Sequence, residues 1–331
     1  MDEAALLMAD AIRIKGVTKT FGDTKAVRDL DLSIPAGCLY GFIGPNGAGK
    51  TTTIRMLMSI LFPDSGELEV LGHRSALEAK DKIGYLPEER GVYKNMRVGA
   101  YLTFIARLKG VPEGEIRGRV ESLLERVRLP DVERDACEEL SKGMRQKIQF
   151  AAAIINKPEL LILDEPFSGL DPVNMRLLRD LIVAEHRRGA TILFSTHVML
   201  QAEDICDHII MMHKGRKVLD DPIQAIRGQY DTGKIIVEPL EADADTRVLE
   251  NVDGVELVEQ HEGLIELHLA SGTDPAAMMG RIATTLPVAR MELSRPRLED
   301  IFVRLVAGES GDEAEALLSE IRKPTALEAS A

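Results

Sequence analysis

Residues 44–51 read Gly-Pro-Asn-Gly-Ala-Gly-Lys-Thr, the pattern G-x-x-x-x-G-K-[ST], and this octet restricts the fold more than anything else in the sequence. It follows an apolar run, Leu39–Ile43, and precedes a helical pattern from Thr51 to Leu61 that stops at Phe62-Pro63-Asp64-Ser65-Gly66. A glycine-rich turn between a buried strand and a helix lets backbone N–H groups converge. The helix N-terminus adds partial positive charge, so the octet makes a cradle for phosphate. Gly44, Pro45, Asn46, Gly47, Ala48, Gly49, Lys50 and Thr51, with Thr52 behind them, are therefore the candidate nucleotide contacts. Lys50 is expected to reach the β- and γ-phosphates, and the Thr51 hydroxyl to ligate Mg²⁺.

The surrounding pattern suits a nucleotide-binding α/β fold. Ile12–Val17, Leu30–Ile34 and Leu39–Ile43 read as strands, and Pro35-Ala36-Gly37 reads as the turn between the last two. Leu160–Leu163 and Thr191–Phe194 are short apolar runs, as strands of a mainly parallel sheet covered on both faces should be. Arg97 to Ile155 is helical throughout, which predicts a helical subdomain inserted at about residues 90–156. A break near Gly228 ends a first domain at residues 1–228. Residues 229–307 alternate short strand-like runs with helical patterns at Pro275–Leu286 and Leu298–Val306, predicting a small α+β domain. Residues 308–331, rich in Glu, Ala and Ser, read as a loosely held tail.

Composition removes several function classes. The formal net charge of -13 argues against a nucleic-acid surface, which needs a basic face. Cys38, Cys137 and Cys206 are scattered and odd in number, so they read as reduced thiols, neither a disulfide framework nor a zinc site. No run of about 18 apolar residues occurs, and the first eleven residues lack the basic start and longer apolar core of a signal peptide. The expected location is the cytoplasm, or the inner face of the cell membrane through a partner.

A second constellation lies downstream. Leu160-Leu161-Ile162-Leu163 runs into Asp164-Glu165, two carboxylates at a strand end. Beside a phosphate cradle, Asp164 can hold Mg²⁺ near Thr51, and Glu165 is placed to polarise the attacking water. Asn156-Lys157-Pro158 has the look of a guanine-reading motif, but the Asp that reading needs is absent.

With further motifs the resemblance becomes that of a family. Leu140-Ser141-Lys142-Gly143-Met144-Arg145-Gln146-Lys147 resembles the signature motif of ATP-binding-cassette (ABC) proteins. Ser168-Gly169-Leu170-Asp171 looks like the family's D-loop, Ser195-Thr196-His197 like its switch histidine, and Phe21 like the aromatic that stacks on adenine. The motifs stand in the family's order from about Ile12 to Arg227. The resemblance implies an ATPase that works as a dimer, each ATP lying between one subunit's phosphate loop and the other's signature. On that reading Ser141 and Gly143 face the partner's γ-phosphate. The residue physics agrees, since Ser141 is a good helix N-cap and Gly143 permits close approach to the backbone. His197 is then expected to bond the γ-phosphate and help hold Glu165 and the water.

Two positions depart from the common motifs. Lys142 replaces a glycine of the signature and either adds charge near the γ-phosphate or points to solvent. Glu88, after Tyr85-Leu86-Pro87, stands where the family has a metal-sensing glutamine, so metal coordination survives and amide-specific contacts do not. The signature variant, the Tyr-Leu-Pro-Glu-Glu-Arg segment and the late run Arg295-Pro296-Arg297-Leu298-Glu299-Asp300-Ile301-Phe302 resemble the ATP-binding subunits of bacterial two-component exporters. That branch implies a separate multispanning permease as partner and two copies of this chain. A soluble cassette protein acting without a permease, or an importer subunit, is the competing reading. The transported substrate is not encoded in these residues.

Overall fold

In the computed structural model the chain opens with a hairpin, β1 (Asp10–Phe21) and β2 (Thr24–Pro35), turning at Gly22-Asp23. Both strands alternate buried and exposed positions, as one-sided antiparallel strands do. β3 (Leu39–Ile43) is buried at every residue and leads through the Gly-rich octet into α1 (Lys50–Leu57). β4 (Ser65–Val70) returns to pair antiparallel with β1, completing a three-stranded sheet in the order β2-β1-β4. The structure describes residues 10–307 apart from 89, 90, 92, 94, 231, 232, 242, 243, 262, 271 and 295.

The larger sheet has six strands. β5 (Ile83–Leu86) is followed by the helices α2 (Val98–Leu108), α3 (Glu113–Arg126) and α4 (Lys142–Ile154) before β6 (Leu160–Asp164). Then come α5 (Pro172–Arg187), β7 (Thr191–Thr196), the short α6 (Met199–Glu203) and the hairpin β8 (His208–His213) and β9 (Arg216–Pro222). The spatial order is β5-β6-β7-β3-β8-β9, parallel from β5 to β8 with β9 antiparallel at the edge. Register sets the chemistry: Ile43 lies opposite Thr196, and Asp164 opposite Ser195. The ends of β3, β6 and β7 therefore share one edge of the sheet, the carboxyl edge where open α/β sheets bind ligands.

The chain divides into two units, one of residues up to Ile223 together with those from Phe302, the other Gln224–Ile301. α7 (Ile223–Gln229) begins at that division. The second unit contains β10 (Lys234–Pro239), β11 (Val255–His261), β12 (Leu264–Leu269), α8 (Pro275–Thr285) and β13 (Val288–Ser294), with α9 (Leu298–Ala307) crossing the division. Its four strands form an antiparallel sheet in the order β11-β12-β10-β13. Ile235 and Val237 alternate inward on β10 to meet Ile265 and Leu267 of β12 and Met278 and Ile282 of α8. Asp274 caps α8 through the Ala276 N–H, with Pro275 in the first turn.

Three details differ from the sequence reading. The helix expected over Thr51–Leu61 ends at Leu57, because Ser59 turns to a left-handed φ of 54° and the Ile60 N–H reaches back to the Arg55 carbonyl. The compact division falls at Ile223/Gln224, and residues from Phe302 group with the first unit. Four strands, β4, β5, β8 and β9, were not foreseen. The tail expected at 308–331 lies outside the described residues. Among the described residues no helix is long and apolar enough to cross a membrane.

Candidate active site

The phosphate loop is moulded from behind by main chain. Gly44 has φ 149°, and a Cβ there would lie 2.3 Å from the Met212 carbonyl oxygen. Gly49 has φ 106°, and a Cβ there would lie 2.5 Å from the carbonyl oxygen of Ala26. Neither position can hold a side chain. α1 starts at Gly49 with no side-chain cap and no acid in its first turn, so its leading N–H groups remain available to an anion. Lys50 is 5% exposed, and its ammonium donates to the carbonyls of Gly44 at 2.6 Å and Pro45 at 3.2 Å. Burial lowers its pKa, opposed by the charges of Glu165, Asp164 and Glu88.

These groups line a cavity of about 620 Å³. Asn46, Gly47, Ala48, Gly49, Lys50, Thr51 and Thr52 form its floor, Glu88 and Glu165 stand on its wall, and Lys25, Arg28 and Lys214 add three cations. The basic side chains suit a polyanion in a chain of net charge -13. Sequence reasoning missed Lys25, Arg28 and Lys214. They carry no motif, and only folding brings them in, through the bond from the Arg28 N–H to the Gly215 carbonyl. Phe21 is 47% exposed, with the Lys19 ammonium 5.5 Å from its ring centre, and does not line this cavity.

Asp164 is fully buried at the end of β6. Its Oδ1 accepts from the Ser195 hydroxyl at 2.5 Å and faces the Thr51 hydroxyl at 3.5 Å. Its Oδ2 is buried with no hydrogen-bond partner. Burial raises its pKa, aided by the Glu165 charge and opposed by the bonds from Ser195 and Thr51. Burial also raises that of Glu88, with Asp164 and Glu165 adding to it. An orphaned carboxylate oxygen beside a threonine hydroxyl and two further carboxylates is the donor set a hard divalent cation takes, so these residues fit Mg²⁺.

Glu165 follows with φ 47°, unusual for a residue with a Cβ. Its N–H donates to the Ser195 carbonyl at 3.2 Å, and its Oε1 lies 2.9 Å from His197 Nδ1. Glu165 and His197 also line a second hollow of about 360 Å³ with Lys142, Ser168 and Asp171. Lys142, left between two readings by the sequence, is thus half-buried beside Glu165 and His197.

Ser141 caps α4 by accepting from the Met144 N–H at 3.3 Å, and lines neither cavity. A Cβ at Gly143 would meet Asn174 Nδ2 at 3.4 Å and Leu170 Cδ2 at 3.6 Å, so the glycine also lets α4 lie close to residues 170–174 of its own chain. Asp171 caps α5 through the N–H groups of Val173 and Asn174.

The chain matches the family described as "ABC transporter" over residues 27–168, and that described as "ATP-binding protein DrrA1-3-like, C-terminal domain" over 222–306. It is 39% identical over 295 residues to the uncharacterised ABC transporter ATP-binding protein YhaQ of Bacillus subtilis, covering 89% of this chain and 98% of that one. The chain belongs to the ATP-binding subunits of ABC transporters. Its activity is ATP hydrolysis. It is also 33% identical over 312 residues to the Nod factor export ATP-binding protein I of Cupriavidus metallidurans, covering 92% of this chain and 100% of that one. A solved structure of an ATP-binding subunit of an ABC transporter superposes with a TM-score of 0.63 at 30% identity, over 66% of this chain and 93% of the other.

For an ABC subunit, the second unit carries one notable side-chain cluster. Glu259, Glu266 and His268 offer ligand atoms within 4.8 Å of one another. They are already paired, His268 Nε2 lying 3.0 Å from Glu259 and Glu266 accepting from the Lys234 ammonium. This is an ion-pair network on the sheet face opposite the apolar core.

Proposed function

We propose that this ABC subunit drives an exporter, dimerising around two ATP molecules and acting on a separate multispanning permease that holds it at the inner face of the membrane. The observation that carries the reading is similarity running through both units, because the two curated relatives named above match about nine tenths of the chain. One of them is named for Nod factor export. The C-terminal unit also has its own match, to the family described as "ATP-binding protein DrrA1-3-like, C-terminal domain", which a soluble cassette would not need.

In this reading the cradle of Gly44–Thr52 binds the phosphates and Phe21 supports adenine. Lys50 leaves the Gly44 and Pro45 carbonyls for the β- and γ-phosphates, exchanging two neutral acceptors for charged ones. Thr51, Asp164 and Glu88 would hold Mg²⁺, which when bound neutralises charge on the phosphate oxygens. Glu165 polarises the attacking water, and His197 orients Glu165 and bonds the γ-phosphate. Ser141 and Gly143, which do not line the phosphate cavity of their own chain, serve the nucleotide of the second copy.

The test is co-purification. The tagged chain is expressed in its native host, membranes are isolated, and what accompanies it in mild detergent is identified. Recovery of a multispanning protein is expected. A chain found wholly in the soluble fraction with no membrane partner would end the exporter reading while leaving the ATPase intact.

A further inference from the structure

The signature helix reaches the catalytic segment through a buried side chain. Gln146 on α4 is 2% exposed, and its Nε2 donates to the carbonyl of Pro166 at 2.9 Å. Pro166 is the residue after Glu165, so the bond lands one residue from the catalytic carboxylate.

The backbone it grips is held against its preference. Glu165 has φ 47°, a left-handed value that costs a residue with a Cβ, and the following proline further disfavours helical conformations there. Such a residue persists only where its surroundings over-determine it. Three contacts do so: the Glu165 N–H to Ser195, at 3.2 Å to its carbonyl and 3.3 Å to its hydroxyl, the Ser168 N–H to the Glu165 carbonyl at 3.2 Å, and Gln146 to Pro166. The first two belong to β7 and to the turn itself. The third comes from the helix whose N-cap is Ser141. That helix also lies against Leu170 and Asn174 at Gly143, so α4 and residues 165–174 pack side by side along both.

A shift of α4 by a fraction of an ångström must therefore either pull the Pro166 carbonyl or break a buried hydrogen bond. A buried carbonyl left unpaired is costly, so the first outcome is favoured. We propose that Gln146 is a positioning residue for ATP hydrolysis, carrying the placement of the signature helix to Glu165 within one protomer through the Pro166 carbonyl. The inference rests on the assignment of Glu165 as the group that polarises water.

Two variants test it in the purified full chain. Gln146→Met keeps length and apolar contact but cannot donate. Its kcat is expected to fall about 10- to 100-fold, the scale of a small misplacement of a reacting group, with affinity for a fluorescent ATP analogue within about twofold of wild type. Gln146→Glu keeps shape and donates only when the new carboxyl is protonated. Its kcat relative to wild type should recover as pH is lowered, while the Gln146→Met deficit stays constant. A Gln146→Glu ratio flat with pH overturns the proposal, as does a kcat for Gln146→Met within about twofold of wild type. Glu165→Gln is the control. If hydrolysis survives in it, the assignment of Glu165 falls and the coupling with it. If hydrolysis is lost there while Gln146→Met is unimpaired, only the coupling falls.

Discussion

The Glu165 carboxylate and the His197 imidazole meet at 2.9 Å across adjacent strand ends, Oε1 to Nδ1. β6 and β7 are in register at Asp164 and Ser195, so the pair is placed by the sheet and needs no loop rearrangement to form. His197→Ala removes the group that orients Glu165. Its kcat should drop by about 100-fold or more, the usual contribution of a positioned acid–base partner, with ATP still bound. Single-turnover hydrolysis beside equilibrium binding would separate the two effects. For Glu165→Gln, gel filtration with saturating ATP should show a trapped dimer, and a variant that stays monomeric would count against the two-subunit sandwich.

Lys50 is the one lysine inside the phosphate loop, and the residue is 5% exposed. On the proposed role, Lys50→Ala removes the loop cation that meets the β- and γ-phosphates, so hydrolysis should fall to background. Malachite-green phosphate release from freshly purified protein reads this directly; an unchanged rate would reveal a contaminating ATPase.

Glu88 and Glu165 line the same cavity, and the Glu88 pKa is raised by partial burial and by the charges of Asp164 and Glu165. A carboxyl with a raised folded pKa contributes most to stability below its ordinary value and loses that contribution as pH rises through the raised one. Glu88→Gln should therefore melt higher than wild type without divalent cation. The gap should be small near pH 4.5 and widen as pH rises through the raised value. Added MgCl₂ and nucleotide should narrow it, because a bound cation compensates the wild-type charge and the amide supplies none. Differential scanning fluorimetry across pH, with and without Mg²⁺, tests both statements.

Glu185 on α5 is nearly buried and bonds two arginines at 2.8 Å, Arg126 of α3 and Arg188. The two ends of this pairing are unequal. Removing Glu185 leaves two guanidiniums facing each other, with a destabilisation of about 2–4 kcal/mol expected for Glu185→Ala, whereas Arg126→Ala leaves Arg188 as counter-charge and should cost about 1 kcal/mol. Urea unfolding of the two variants should show this order, and the reverse order would mean that Arg126 matters mainly by packing.

The candidate site was largely legible because its parts are local. A Gly-rich octet must follow a strand and precede a helix, and Asp164-Glu165 must end an apolar run. Thr191–Phe194 and Leu160–Leu163 were readable since buried parallel strands have no polar face. β5 was not, because it is four residues long and Gly84 breaks its apolar run. β8 holds a readable buried run, Ile209-Ile210-Met211-Met212, but it is short and flanked by His208 and His213, whereas Lys217 and Asp220 disguise β9 as polar. Lys25, Arg28 and Lys214 were invisible for another reason. Their roles depend on the phosphate loop resting against Ala26 and Met212, a contact with no periodicity to betray it.

That same contact decides where variation can be absorbed. The loop rests on the main-chain oxygens of residues 26 and 212, and every amino acid supplies the same oxygen. The backing of the loop comes from main chain at those two positions, although Ala26 also lines the cavity, while positions 44 and 49 admit a single residue. The geometry of the binding site is thus insulated from the neighbours that shape it.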